Sequence, residues 1–298
     1  MTPASAANDM QSPALRRHFP WRGMPGSALI HLIKAENMDH RSAQAASALL
    51  QQHWMRGSLI QELPAGVRPH SREEGYAVQA CLEAHSGSPL HGWKIAATSG
   101  AGQAHINVDG PIAGRILAER VIPDGGLAPA GPNHMGVAEA EFAFRLGRDL
   151  PPRADAYTVD EVLAAVATLH PAIEIPDSRY EDFTRVGAAQ LIADNACAHY
   201  FVAGAACSDD WRTRDLVAHR VRARVEGKFE REGSGANVLG DPRIALAWLA
   251  NELSGLGITL KQGQMVTTGT CVTPFEIAPG DLVTVDFGSL GTASVRIG

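Results

Sequence analysis

Residues 137–146 read VAEAEFAFRL, and this stretch decides the core of the fold. Its side chains alternate with a period of two, which is typical of a β-strand rather than of a helix. Phe142 and Phe144 then share one face of the strand, whereas Glu139 and Glu141 lie side by side on the other face. The stretch therefore predicts a strand that packs against a core on one side and carries two acids on the other.

Two neighbouring glutamates repel each other unless a positive group lies between them. Mg²⁺ prefers carboxylate oxygens in octahedral geometry, so a metal ion is one explanation of Glu139 and Glu141. A strand with a solvated acidic face is the other explanation, and the strand by itself leaves both open. Residues 172–179, AIEIPDSR, favour the metal, because Glu174 interrupts a short apolar strand and a buried glutamate needs a partner. Three glutamates on two strands would supply three of the six ligands of Mg²⁺.

Helical and strand patterns surround these two segments. Apolar periodicity and capping residues predict five helices, over 41–56, 71–85, 158–171, 188–203 and 241 to about 253. The second and third begin at capping boxes, formed by Ser71 with Glu74 and by Thr158 with Glu161, and they end at His85 and Pro171. Alternating segments predict strands over 217–225, 265–269, 281–287 and 292–297. The strands do not alternate regularly with helices, so the pattern favours an α+β fold with a mostly antiparallel β core.

The chain is predicted to have three parts. Residues 1–37 mix Pro, Ser, Ala and Gly without a period, so we expect a poorly ordered extension. A targeting peptide and an over-long start are both open for this part, although it lacks the apolar core of a secretory signal. Residues 38–90 are predicted to form a helical region, and residues 91–298 a β-rich domain that carries the acids.

Composition excludes several classes of protein. The chain has 298 residues, with 26 Lys and Arg against 32 Asp and Glu, which gives a formal charge of −6. An acidic chain without basic runs argues against nucleic-acid binding. No window approaches the about 18 to 20 apolar residues of a membrane helix. The four cysteines lie far apart without a C-x-x-C pair, so we expect reduced thiols in a cytoplasmic protein.

Two further residues are candidates for chemistry. Lys94 interrupts the otherwise uncharged stretch GWKIAATS at 92–99, and a buried ammonium group needs an anion. The alternative is a lysine at a strand end that extends its ammonium group to solvent. Asp109 lies in an Asp-Gly turn, where most such pairs serve only the turn.

Seven motifs in order then resemble one family. They are GWKIAATS at 92–99, VDGPIAGRI at 108–116, AEAEFAFRLGRDL at 138–150, AIEIPDSR at 172–179, ADNA at 193–196, VLGDPRIALAWLANEL at 238–253 and TPFEIAPGD at 273–281. Together they resemble the fumarylacetoacetate hydrolase superfamily, in the branch of 2-keto-4-pentenoate hydratases and 4-oxalocrotonate decarboxylases. The resemblance runs from about Met38 to Gly298. Two motifs depart from the family pattern, at Ala96-Ala97 and over 269–274, and both could line the substrate pocket.

The resemblance implies a mixed β-roll or barrel with flanking helices, in which 91–298 is the catalytic domain. It also implies a site for Mg²⁺ or Mn²⁺ that binds a small 2-oxo acid, in a protein expected to be a homo-oligomer. By position in the motifs, the roles fall on Glu139, Glu141 and Glu174 as metal ligands, Lys94 and Asp109 as catalytic residues, and Thr270 and Ser99 as substrate-binding residues.

The activity implied by the resemblance is hydration of a 2-hydroxydienoate in the catabolism of aromatic compounds. Decarboxylation of 4-oxalocrotonate is the second candidate activity. An acylpyruvate-type hydrolase is the third, because such hydrolases use a His and a Glu on a lid helix and we expect no such pair before Gly92. A catalytically idle partner subunit is a further alternative, although a buried acid cluster without a use would cost stability.

Overall fold

The computed structural model describes residues 38–208 and 210–298. The predicted N-terminal extension over 1–37 lies outside the described residues. Six α-helices are described, namely α1 His40–Arg56, α2 Arg72–Ala80, α3 Gly100–His105, α4 Val159–Leu163, α5 Gly187–Ala193 and α6 Pro242–Gly255. None of these helices is long and apolar enough to cross a membrane.

The helix starts follow their capping residues. Ser71 accepts a hydrogen bond from the amide of Glu74 at the start of α2. The Glu74 carboxylate in turn accepts from the amides of His70 and Met38. At the start of α4 both hydrogen bonds of the predicted capping box are present, between Thr158 and Glu161. The capping signals therefore place these helix starts correctly.

The β-strands are β1 Gly92–Ala96, β2 Ile112–Ile116, β3 Val121–Ile122, β4 Leu127–Ala128, β5 Val137–Leu146, β6 Val166–Ile175, β7 Tyr200–Ala203, β8 Arg220–Val225, β9 Phe229–Ser234, β10 Met265–Thr270, β11 Phe275–Glu276, β12 Leu282–Asp286 and β13 Thr292–Ile297. They form two sheets. The larger has the order β2-β1-β10-β5-β6-β7-β3, with β11 paired to β5, and the smaller has the order β4-β13-β12-β8-β9.

Most neighbouring strands are antiparallel. Among the described strands, only the pairs β1–β10, β3–β7 and β4–β13 are parallel. The two sheets pack through the apolar face of β5, where the Phe142 ring meets the Phe287 ring edge to face at 4.9 Å between centroids. The prediction of a mixed, mostly antiparallel β core with flanking helices is confirmed.

Two helix predictions were wrong in their extent. The helix that starts after Thr158 ends at Leu163, and Pro171 lies inside β6. Proline has no backbone N–H, so it cannot donate to the Gly204 carbonyl on the neighbouring strand, and the His170 ring donates to that carbonyl instead. The Pro171 carbonyl still accepts a hydrogen bond from the Gly204 amide. The helix predicted over 188–203 ends at Ala193, and its last four residues form β7. Tertiary pairing overrides the local signal in both cases.

A left-handed turn follows α5 and lies against the larger sheet. Asn195, Ala196 and Cys197 have φ values of 56°, 49° and 62°, a conformation that residues other than glycine seldom adopt. The Asn195 side chain stabilises the turn, because it accepts from the Arg115 amide at 2.6 Å and donates to the Arg115 carbonyl at 2.9 Å. Gly114 leaves the space for this approach, since a Cβ atom there would overlap the Asn195 carbonyl oxygen.

Gly114→Ala should therefore lower the free energy of unfolding by about 1 to 3 kcal/mol, the usual range for forcing an atom into a packed site. Urea unfolding followed by circular dichroism would measure it. Gly100→Ala is the matched control, because no atom lies within 4 Å of a Cβ at that exposed helix start. Equal stability of the two variants would contradict the close approach of the turn.

Candidate metal centre

Three glutamates converge on one face of the larger sheet. The antiparallel register of β5 and β6 places Glu139 directly opposite Glu174, and Glu141 follows two residues along the same face. One carboxylate oxygen from each residue lies within 4.8 Å of those of the other two. Glu141 and Glu174 are 0% and 2% exposed, whereas Glu139 is partly buried. The alternative explanation, a strand with a solvated acidic face, is therefore wrong.

The protein alone does not satisfy this cluster. Glu141 Oε2 accepts from the amide of Gly269 at 2.7 Å. Glu141 Oε1 and Glu174 Oε2 have no hydrogen-bond donor within the described ranges, although both are buried. Buried carboxylate oxygens without donors are costly unless a cation binds them. The set of three carboxylates with two oxygens free of donors fits a divalent metal ion.

Burial and mutual repulsion disfavour the charged carboxylates. Burial, followed by the charge of Glu174, raises the pKa of Glu139 to about 7 from the ordinary value of 4.5. The same two causes raise the pKa of Glu141 well above its ordinary value. A bound cation would favour the ionised forms, so metal binding and proton release are linked.

Lys94 is the positive group within reach of the cluster. Its Nζ lies 2.9 Å from Glu174 Oε1 and donates to the Ala196 carbonyl at 3.0 Å. The side chain is only 3% exposed, so the alternative of a lysine that extends to solvent is wrong. Burial alone would lower the pKa of Lys94, but the charges of Glu174 and Glu139 outweigh it and raise this pKa. Lys94 therefore acts as a fixed ammonium group beside the glutamates.

Two backbone groups of the site were missed by sequence reasoning. The Ala196 carbonyl reaches Lys94 only because of the left-handed turn, and the Gly269 amide reaches Glu141 only through an irregular pairing of β10 with β5. The ADNA motif at 193–196 was a signal for the first, but motif spacing alone does not tell which carbonyl points at a lysine.

The two predicted substrate-binding residues, Thr270 and Ser99, both form hydrogen bonds to the backbone. Thr270 pairs with Glu141 across β10 and β5, and its hydroxyl donates to the Val272 carbonyl. Ser99 is the N-cap of α3, where it accepts from the Gly102 amide at 3.0 Å. Both hydroxyls thus already have backbone partners in the chain.

Asp109 is not brought to the cluster. Its side chain is 88% exposed, and its carboxylate lies 3.5 Å from Arg72. Because a turn residue on the surface cannot exchange a proton with a buried centre, a catalytic role for Asp109 would require the segment around it to move.

Comparisons with known proteins agree on one family. The sequence model of the fumarylacetoacetate hydrolase C-terminal family matches residues 118–298, more than half of the chain. A relative from Dechloromonas aromatica (strain RCB), 2-keto-4-pentenoate hydratase 1, is 33% identical over 261 residues, which cover 85% of this chain and 96% of that protein. The 4-oxalocrotonate decarboxylase of Pseudomonas sp. (strain CF600) is 32% identical over 214 residues, which cover 70% of this chain and 78% of that protein.

A solved structure is similar over nearly the whole described chain. It is 4-oxalocrotonate decarboxylase from Pseudomonas putida G7, complexed with magnesium and adipate. The TM-score is 0.79 at 27% identity, and the alignment covers 87% of this chain and 98% of that one.

The raised pKa of Glu139 predicts a specific pH dependence for the metal-free protein. Between pH 4.5 and about 7 the folded protein keeps a proton on Glu139 that the unfolded chain releases, so this group's contribution to stability falls as pH rises. Urea unfolding in EDTA should show wild type losing stability relative to Glu139→Gln across that interval. The buried histidines titrate in both proteins and cancel in the difference.

Saturating Mg²⁺ at pH 7.5 should reverse the sign of this difference, because only wild type has the full set of carboxylates. A difference that stays constant with pH, with no response to Mg²⁺, would remove Glu139 from the metal centre.

Proposed function

The chain belongs to the fumarylacetoacetate hydrolase family, and on that premise we propose that it is a Mg²⁺-dependent hydratase of 2-hydroxydienoates in the catabolism of aromatic compounds. The observation that carries the proposal is the buried triad of Glu139, Glu141 and Glu174 with Lys94 against it. A relative named 2-keto-4-pentenoate hydratase 1 aligns along 96% of its own length, which supports the same activity here.

The charges of the site suit an anionic 2-oxo acid. Three carboxylates exceed the charge of a divalent ion by one, and the Lys94 ammonium group cancels that excess. A divalent ion bound there would supply a Lewis acid that polarises a 2-oxo group and stabilises an enolate. Lys94 would hold the substrate carboxylate or a developing oxyanion through a charge-assisted hydrogen bond.

The proposed reaction is balanced without a further reactant. The 2-hydroxydienoate transfers the proton of its enol hydroxyl to C5 and becomes an α,β-unsaturated ketone. Water then adds its hydroxyl to C4 and its proton to C3, giving a 4-hydroxy-2-oxo acid. The charges of Glu174 and Glu139 outweigh the effect of burial and raise the pKa of Lys94, so Lys94 fits a fixed cation rather than a group that gives up or takes a proton.

Decarboxylation of 4-oxalocrotonate is the second candidate. It needs the same stabilised enolate, and the relative at 32% identity and the structure at TM-score 0.79 are both decarboxylases. The hydrolase is the third candidate. The expectation that no His-x-x-Glu pair precedes Gly92 was wrong, because His70 and Glu73 have that spacing. Both are exposed at the start of α2, away from a buried centre.

Three further assignments remain predictions. We propose that residues 91–298 form the catalytic domain and residues 38–90 a helical region that precedes it. We also propose that the protein is a homo-oligomer and that it works in the cytoplasm.

Ultraviolet absorbance tests the hydratase directly. Purified protein with Mg²⁺ should bleach 2-hydroxypenta-2,4-dienoate, EDTA should stop the reaction, and NMR should identify the 4-hydroxy-2-oxo acid. Glu141→Gln should be inactive, whereas Glu230→Gln, an exposed acid on β9, should retain activity. Release of carbon dioxide from 4-oxalocrotonate without hydration would favour the decarboxylase. Inertness toward both substrates and toward acylpyruvates would favour the idle subunit.

Lys94→Met should lower kcat by about 100-fold or more, the scale of losing one oriented donor in a buried site. Its affinity for Mg²⁺, measured by calorimetry, should stay within a few-fold of wild type, because the three carboxylates remain. Lys261→Met removes an exposed lysine and serves as the control. An unchanged turnover in Lys94→Met would take Lys94 out of the mechanism.

A further inference from the structure

One edge of the larger sheet carries both the acid triad and several hydroxyl groups. The carboxyl ends of β1, β6 and β10 and the amino end of β5 meet at this edge, because β1 runs parallel to β10 and β5 runs antiparallel to β10 and β6. Glu174 lies at the end of β6, and Glu139 lies near the start of β5. Residues that follow β1 or end β10 are therefore placed beside the metal centre.

Five residues with hydroxyl groups lie in these two segments, namely Thr98, Ser99, Thr267, Thr268 and Thr270. The hydroxyls of Ser99 and Thr270 have the backbone partners described above, and that of Thr268 donates to a backbone carbonyl of β5 at 3.1 Å. A hydroxyl that is bonded in this way can serve a ligand only if it gives up its partner. These three residues are therefore held by the fold.

The two remaining hydroxyls differ in their accessibility. Within 38–208 and 210–298, neither Thr98 nor Thr267 forms a hydrogen bond through its side chain. Thr267 is 0% exposed and its oxygen is fully shielded, so a ligand in the site cannot reach it. Thr98 is 5% exposed, and its oxygen is not fully shielded. Of the five hydroxyls, only that of Thr98 is both unpaired and reachable.

The Thr98 hydroxyl lies against a residue that binds one of the triad acids. A Cβ atom on Gly269 would lie 2.0 Å from Thr98 Oγ1, so this hydroxyl packs against the Cα atom of the glycine. The amide of the same glycine donates to Glu141 Oε2 at 2.7 Å. These contacts place Thr98 Oγ1 within about 7 Å of the Glu141 carboxylate, which is close enough for one small ligand to contact both.

The backbone fixes Thr98 in this position. Ala97 and Gly269 have φ values of 60° and 94°. Leu239, whose φ is 47°, donates from its amide to the Thr98 carbonyl at 2.7 Å. Left-handed conformations are costly at residues other than glycine, and they persist where the surrounding structure imposes them, often at functional sites. The tertiary structure therefore imposes the position of the Thr98 hydroxyl.

We propose that Thr98 is a substrate-binding residue whose hydroxyl donates to a carboxylate oxygen of the 2-oxo acid at the metal centre. The inference rests on the proposed function and assigns to Thr98 the role predicted for Ser99, which instead caps α3. A nearly buried hydroxyl without a partner is unfavourable until a ligand pairs with it. Because a hydrogen bond to a charged oxygen is stronger than one between neutral groups, a carboxylate is the partner that gains most from this donor.

Calorimetry with pyruvate tests the inference without catalysis, because pyruvate has the carboxylate and the 2-oxo group but no double bond to hydrate. With saturating Mg²⁺, Thr98→Val should bind pyruvate about 10-fold or more weakly than wild type, since it keeps the shape and loses the donor. Thr98→Ser should stay within a few-fold of wild type, because it keeps the hydroxyl. The affinity of both variants for Mg²⁺ alone should match wild type, because the three carboxylates remain.

Ser99→Ala is the matched control at the neighbouring position. It should keep the wild-type affinity for pyruvate but unfold at a lower urea concentration, because it loses the cap of α3. Thr98→Ala is the second variant if valine does not fit against Gly269, and it should show the same loss of pyruvate binding.

Wild-type affinity for pyruvate in Thr98→Val and Thr98→Ala would overturn the inference. A loss in Ser99→Ala as large as that in Thr98→Val would also overturn it, because the effect would then belong to the turn and not to the Thr98 hydroxyl. Failure of wild type to bind pyruvate in the presence of Mg²⁺ would instead overturn the proposed function, and the inference with it.

Discussion

The structure depends on the burial of three carboxylates on one sheet face. Like charges that share a desolvated site repel strongly, and the cost is reduced only by a neighbouring cation or by protonation. Lys94 reaches Glu174, but two carboxylate oxygens of the triad stay without a donor. The fold therefore holds the residues in a geometry that favours a bound divalent ion, at some expense to the stability of the metal-free chain.

The surrounding backbone serves this geometry. The long ladder of β5 and β6 holds Glu139 opposite Glu174, and the left-handed turn at 195–197 directs a carbonyl at Lys94. The turn is itself fastened to the Arg115 backbone on β2 by the Asn195 side chain. Segments distant in sequence thus hold one another in place through these hydrogen bonds, and groups positioned in advance are what electrostatic catalysis requires.

The sequence by itself determined the local structure and the identity of the acids. Alternation predicted β5 with its two glutamates, capping residues predicted where α2 and α4 begin, and an uncharged context singled out Lys94. Such signals are local, because they depend on neighbours along the chain. Only the tertiary structure decided that Pro171 lies in a strand, that Asp109 stays exposed, and that Glu174 and Lys94 meet, since strand register and the packing of distant segments set those positions.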